Sequence, residues 1–382
     1  MAEKVLLLGA TGSVGGSVIK ALKILKRPLW GFSFHSNLEL AGEIIREFRP
    51  SVVIATDENN YRALVQEGGE SRILFGDAGI QESIEHADPQ VIVNALCGMT
   101  GLLPSFQTLR QGKKLIIANK ESIIAGSQVL LSLKRFPEQV IPIDSEHWSL
   151  FQLLEGMEPG KVKELILTAS GGPFWDKSAE YLEKITLADA LKHPVWQMGK
   201  SITISSATMA NKGMEILEAK ELFGFNLAQI KAVIHPQAKI HAMLRLSDGS
   251  LITHVSPTTM VEPALHALTY PLLSPGEDLE IASLKIEFHA IKPGQFPMLE
   301  LAYEAGRRGH MAQIVYTTAN EIANDYFLRE KIRFSQIAQG VEKILSQISD
   351  KVIDGLDAIL RVDREAREVS NGVFKEYSSC PY

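Results

Sequence analysis

The apolar run Val5-Leu6-Leu7-Leu8 breaks at Gly9-Ala10-Thr11-Gly12-Ser13-Val14-Gly15, and an amphipathic stretch follows. A glycine loop between a strand and a helix constrains the fold more than composition does. Its glycines permit a tight turn and a close backbone approach, and the helix that follows presents unpaired N–H groups suited to a pyrophosphate. An ordinary strand-to-helix turn would read similarly, so the surrounding pattern matters. Apolar segments at 29–34, 52–55, 91–96, 115–118 and 140–143 alternate with helix-length stretches at 14–25, 38–48 and 103–111. That alternation predicts right-handed βαβ units and a parallel sheet covered on both faces, a Rossmann-like nucleotide-binding domain over residues 1–144.

Beyond 144 the pattern changes. Strand-like runs at 162–168, 201–205, 232–235 and 240–246 are joined by loops rich in Gly, Pro and Ser. They predict a separate central α+β domain over 145–270. Pro-rich turns over 271–297 read as a linker. In the last part, 298–382, Val341, Ile344, Leu345 and Ile348 are spaced as one helix face, as are Leu356, Ile359 and Leu360, which predicts a C-terminal helical bundle. The expected class is therefore α/β, with three domains.

Composition adds exclusions. With 382 residues, 45% of them hydrophobic, the chain can bury a core without staples. Its two cysteines, Cys97 and Cys380, cannot make a disulfide framework and suit a reducing compartment, so a cytoplasmic protein is expected. Cys97 lies in an apolar segment and is expected to be a buried small hydrophobe. No run reaches the roughly 18 apolar residues of a membrane helix. The net charge of −6 gives no broad basic surface for nucleic acid, so an anionic ligand needs a local cluster of donors.

Several residue sets supply chemistry. The segment 29–34 ends in His35-Ser36-Asn37, without the acid that would accept from a ribose 2′-hydroxyl and repel a 2′-phosphate; this favours NADP, while nearby Glu39 leaves NADH open. Asp144 and Glu146, two apart after a strand, point the same way in extended geometry, and a helical stretch from Asn211 carries Glu215 and Glu218 as further acids. Oxygen ligands without cysteine or paired histidine suit Mg²⁺ or Mn²⁺ rather than zinc. Equally, Asp144 or Ser145 can cap the helix 147–154, with Glu146 favoured in its first turn. Ser170-Gly171-Gly172 and Ser205-Ser206-Ala207-Thr208 ahead of Asn211-Lys212 suit a phosphate monoester, or are turn chemistry. His193-Pro194-Val195-Trp196-Gln197-Met198-Gly199 has the composition of a lid. His235 and His241, without a third ligand nearby, read as structural.

Taken in order, these motifs, with Ala118-Asn119-Lys120-Glu121-Ser122, Asp144-Ser145-Glu146-His147, Ile234-His235-Pro236-Gln237 and Thr318-Ala319-Asn320-Glu321-Ile322, resemble the 1-deoxy-D-xylulose 5-phosphate reductoisomerases along nearly the whole chain. The resemblance implies NADPH held by Thr11, Gly12, Ser13, Val14, His35, Ser36, Asn37, Asn119, Glu121 and Gly199. It implies Mg²⁺ or Mn²⁺ on Asp144, Glu146 and Glu215, and catalytic roles for Lys120, Glu146 and His193. The implied substrate is a small phosphorylated sugar, met by Lys120, Ser145, Glu146 and Glu215 and by Ser170, Ser206, Asn211 and Lys212 at its phosphate, with His193, Trp196 and Met198 closing over it.

A C–C cleavage and rejoining would generate an aldehyde that NADPH reduces, and a homodimer is implied. The turn His35-Ser36-Asn37 departs from the family's usual Gly-Lys-Asn, Ser205 stands where Asp is common, and Ala238 where Ser is. Two other readings remain at this stage: a simple NAD(P)-dependent dehydrogenase of a small carbonyl, and a non-catalytic NADP-binding sensor.

Overall fold

The computed structural model describes residues 3–379 apart from Gln197 and Asp350; Gln197 of the lid sequence and Cys380 lie outside the described residues. The chain divides into two compact units. The first comprises Met1–Ser122, Gln128–Trp148 and Thr259–Asp278, and the second Ile123–Ser127, Ser149–Thr258 and Leu279–Tyr382.

The first unit is built on strands β1 (Lys4–Leu8), β2 (Leu29–Phe34), β3 (Val52–Ala55), β4 (Arg72–Phe75), β5 (Pro89–Asn94), β6 (Lys114–Ile117) and β7 (Val140–Pro142). They form one sheet in the order β4-β3-β2-β1-β5-β6-β7, every recorded pairing parallel. β2 and β3 are buried along their whole length, as near-continuous apolar runs covered on both faces should be. Leu6, Leu8, Ile54 and Ile92 pack with Ile80 and Ile84 of the helix Gly76–Glu85. The edge strand β4 escaped the sequence reading because it is short and half exposed.

The second unit carries a four-stranded mixed sheet, β11-β10-β8-β9, from β8 (Val162–Ala169), β9 (Ile230–Ile234), β10 (Ile240–Leu246) and β11 (Leu251–Val255). β8 pairs parallel with β9 and antiparallel with β10. Helices Pro297–Arg308, His310–Leu328, Phe334–Gln347 and Leu356–Ser379 complete the unit around a core that includes Tyr316, Ile337, Val341, Ile344 and Phe374. Arg367 ties two of them together, meeting Glu321 at 2.8 Å and Asp363 at 3.0 Å.

Two expectations fail. Residues 201–205 are not a strand but part of the helix Lys200–Ala207. Its Ile202, Thr203 and Ile204 carry the β-branched signal, yet Thr203 and Ile204 bury one face in the helical core and tertiary packing overrides propensity. Cys97 is exposed, because it sits in the loop that leaves β5 rather than in the strand.

Candidate active site

Parallel strands put the loops after their carboxyl ends on one edge, and in open α/β sheets that edge binds ligands. The glycine loop follows β1 there. A side chain on Gly9 would strike Ala95 O at 2.6 Å, and one on Gly15 would strike Gly9 O at 2.2 Å, so both positions must lack a Cβ. Gly9 N–H donates to Ser33 Oγ at 2.9 Å, which fixes the loop against β2. The helix Ser13–Ile24 has no side-chain cap at Gly12, which leaves its first amides available for an anion. This is a fitting cradle for a dinucleotide pyrophosphate.

After β6, Asn119 caps the helix Lys120–Ser132 by accepting from Ser122 N–H at 3.0 Å. Its amide donates to Leu96 O (2.9 Å), Gly98 O (2.8 Å) and Glu121 Oε2 (2.9 Å), binding the β5 loop to the β6 loop. Gly101 makes room for it, since a Cβ there would meet Asn119 Oδ1 at 2.4 Å. Asn119 therefore fixes these two loops against each other.

Asp144 follows β7 directly. Its Oδ2 accepts from Lys120 Nζ at 2.8 Å, and its Oδ1 lies 3.0 Å from His147 Nδ1 and 3.3 Å from Glu146 N. Burial pushes this carboxyl up, but the Lys120 ammonium and the His147 hydrogen bond outweigh it and hold Asp144 well below the usual carboxylate range. Ser145 Oγ donates to Glu146 Oε2 at 2.5 Å. Asp144 O accepts from Trp148 N at 2.7 Å at the start of the helix Ser145–Leu154, so the residue opens this helix while its side chain stays ionised.

In the second unit, Ser170 leaves β8 into Gly171 and Gly172, both at positive φ (82° and 64°). His193 Nε2 lies 3.1 Å from Ser170 Oγ and 3.1 Å from Ser206 Oγ. Its Nδ1 accepts from Val195 N–H at 3.2 Å and Trp196 N–H at 2.8 Å. An atom receiving two N–H donors has no proton of its own, so the ring is the neutral tautomer with Nε2–H pointing at the two hydroxyls. Burial also pushes its pKa down to about 4. The Trp196 ring lies 6.0 Å from that of His241.

Met209, in the left-handed region at φ 60°, turns the chain from the Ser206 helix into the helix Ala210–Phe223. There Lys212 and Asn211 both contact the Glu215 carboxylate, and Lys212 and Glu215 are buried. Glu218, also buried, lies one turn further on. Sequence reasoning missed what holds Ser206 in place. The amides of Asn320 and Asn324 donate to Ser205 Oγ at 3.2 and 2.8 Å, all three residues being buried. Two asparagines one turn apart on the buried face of a helix were the available signal. His235 and His241 are buried and serve structure, His235 Nδ1 lying 2.8 Å from Glu287 O.

The first unit combines a dinucleotide cradle with an ionised acid beside a lysine, and the second carries hydroxyl and imidazole donors together with a buried lysine. Comparison with known proteins leads to the same combination. Residues 5–127 match a family model described as 1-deoxy-D-xylulose 5-phosphate reductoisomerase, residues 140–223 the C-terminal domain of the same enzyme, and residues 255–369 a DXP reductoisomerase C-terminal domain. The 1-deoxy-D-xylulose 5-phosphate reductoisomerase of Leptospira interrogans is 39% identical over 379 residues, covering 96% of each chain. That of Thermoanaerobacter pseudethanolicus is 38% identical over 374 residues, covering 96% of this chain and 98% of its own.

A crystal structure of DOX-P reductoisomerase in complex with NADPH, fosmidomycin and magnesium superposes with a TM-score of 0.90 at 31% identity, over 99% of this chain and 100% of the other. The Zymomonas mobilis enzyme in complex with NADPH gives 0.87 at 30% identity, over 98% and 100%. With the motifs, the folds of both units and these full-length matches in agreement, the chain belongs to the 1-deoxy-D-xylulose 5-phosphate reductoisomerase family.

Proposed function

We propose that the protein converts 1-deoxy-D-xylulose 5-phosphate to 2-C-methyl-D-erythritol 4-phosphate with NADPH and a divalent metal, the entry reaction of non-mevalonate isoprenoid synthesis. The observation that carries this reading is the Asp144 carboxylate, kept ionised by Lys120 at the carboxyl edge of a dinucleotide-binding sheet. A simple dehydrogenase needs no such acid, and a binding-only sensor has no use for the lysine beside it.

Asp144, Glu146 and Glu215 are the metal ligands in this reading, three carboxylates suited to Mg²⁺ or Mn²⁺. The metal would supply Lewis-acid polarisation of the substrate oxygens and NADPH the hydride. Thr11, Gly12, Ser13 and Val14 hold the cofactor pyrophosphate, His35, Ser36 and Asn37 its adenosine end, and Asn119, Glu121 and Gly199 the remainder. Lys120 donates from Nζ to the oxygen-bearing end of the substrate and offsets negative charge developing there. Ser145 and Glu146 orient the same end.

Ser170, Ser206, Asn211 and Lys212 hold the phosphate, and His193 adds one neutral Nε2–H donor. Trp196 and Met198 cover the substrate and exclude water from the reactive fragments. In this reading residues 1–144 hold the cofactor, 145–270 carry catalysis, and 298–382 form the helical domain after a 271–297 linker.

We also propose a cytoplasmic homodimer. No helix among the described residues is long and apolar enough to cross a membrane. β11 is an edge strand carrying exposed Leu251 and Ile252, a feature that pairing with a second copy would cover. The deciding experiment incubates purified protein with 1-deoxy-D-xylulose 5-phosphate and NADPH, with and without Mg²⁺, and identifies the product by NMR. Metal-dependent formation of the branched polyol phosphate supports the reading; metal-independent reduction to any other product removes it.

A further inference from the structure

In a dinucleotide-binding sheet, the residues just after the second strand face the ribose 2′ position. Here β2 ends at Phe34, and the exposed turn His35-Ser36-Asn37 contains no acid, lysine or arginine. Asn37 is already engaged, its Oδ1 accepting from Leu40 N–H at 3.0 Å as a helix cap. His35 is therefore the only ionisable side chain of the turn.

Its ring is held in one orientation. Thr56 Oγ1 donates its single proton to Phe34 O at 3.2 Å, so its 3.0 Å contact with His35 Nδ1 has the ring nitrogen as donor. Asn60 Nδ2 donates to His35 O at 2.6 Å and fixes the backbone beneath. With the Nδ1 proton committed, Nε2 is a bare lone pair in the neutral ring and an N–H donor only after a second protonation.

The charged groups on the flanking elements are Glu39, Asp57 and Glu58 with Arg62. Asp57 caps a helix through Asn60 N–H at 3.0 Å, Glu58 is paired with Arg62, and no carboxylate pairs with the His35 ring among the described residues. A bare Nε2 accepts from a ribose 2′-hydroxyl and repels a 2′-phosphate. A protonated one makes a charge-assisted hydrogen bond to the phosphate.

We propose that His35 reads the 2′ substituent of the cofactor, selecting NADPH when its ring is protonated and admitting NADH when it is neutral. This rests on the cofactor reading above. It makes nucleotide preference depend on pH.

The test is a fluorescence titration of NADPH and NADH with the full chain from pH 5.5 to 8.5, without substrate or turnover, in wild type, His35→Asn and His35→Lys. The 2′-phosphate itself titrates near pH 6, but it does so identically for all three proteins. Relative to His35→Asn, the wild-type preference for NADPH should fall by about five-fold between pH 6 and pH 8, the size of one exposed charge pair. His35→Lys should keep its preference at pH 8. Parallel profiles in wild type and His35→Asn, with both nucleotides bound, would overturn the role of His35 alone. Binding of neither nucleotide at any pH would remove the cofactor reading, and the proposal with it.

Discussion

At Asp144 and at His193 the protein fixes the protonation state of a side chain, but in opposite directions. Asp144 is kept charged by a cation 2.8 Å away, against the pull of burial. His193 is kept neutral by burial and by two backbone N–H groups that occupy its Nδ1. The difference matches what the proposed function asks each region to hold. A metal cation needs ligands that never lose their charge, whereas a phosphate held by Lys212 would need directed donors rather than another mobile charge.

The comparison can be broken most severely at the acids. Glu215→Gln should lower turnover by at least about 10²-fold while NADPH binding changes little, measured by NADPH oxidation and fluorescence titration. Full activity in that variant would take Glu215 out of the metal site.

Asp144→Asn removes the negative charge that Lys120 and His147 share. It should cost about 3 kcal/mol in denaturant unfolding as well as the metal dependence, because one partner of a largely buried pair is neutralised. An unchanged midpoint would mean that the pair is solvated.

For His193, NMR of ¹⁵N-histidine-labelled protein should show the neutral Nε2–H form from pH 5 to pH 8, and His193→Ala should raise KM by about ten-fold, one hydrogen bond to a charged group. A second proton arriving near pH 6.5 would contradict the locked tautomer. Burial holds the folded pKa at about 4, below the ordinary 6.5 of the unfolded chain, so His193 favours the fold above pH 6.5 and that support is lost progressively as pH falls toward 4.

The smallest effect is at Glu221, which accepts from Ser127 Oγ at 2.7 Å and lies 3.4 Å from His310 Nε2. Burial pushes its carboxyl up, yet His310, Lys220 and Ser127 bring it down to about 2 from 4.5. Its stabilisation is complete above pH 4.5 and disappears as pH falls through 2. The melting-temperature gap between wild type and Glu221→Gln should close over that window.

Much of this was legible in the sequence because it depends on local chemistry. The helix 38–48 was read to the residue, since its apolar spacing, Asn37 cap and first-turn Glu39 all agree. The glycine loop, and Asp144 at the end of its strand, follow from backbone direction alone. What escaped depends on packing. The helix Lys200–Ala207 reads as a strand until the helical core claims one of its faces, and β11 is an exposed edge whose pattern has no buried side to reveal it. The tautomer of His193 is set by two amides at the start of the lid, a contact that spacing does not encode. The support of Ser205 by Asn320 and Asn324 joins positions 115 and 119 residues apart, beyond any local motif.

The central claim is that Asp144, Glu146 and Glu215 together bind one divalent cation. A Mn²⁺ titration followed by electron paramagnetic resonance, on wild type and on Asp144→Asn, Glu146→Gln and Glu215→Gln, tests it without any turnover. The account expects one tight site per chain in the wild type and its loss in each variant. Stoichiometric tight binding that survives all three substitutions would contradict it.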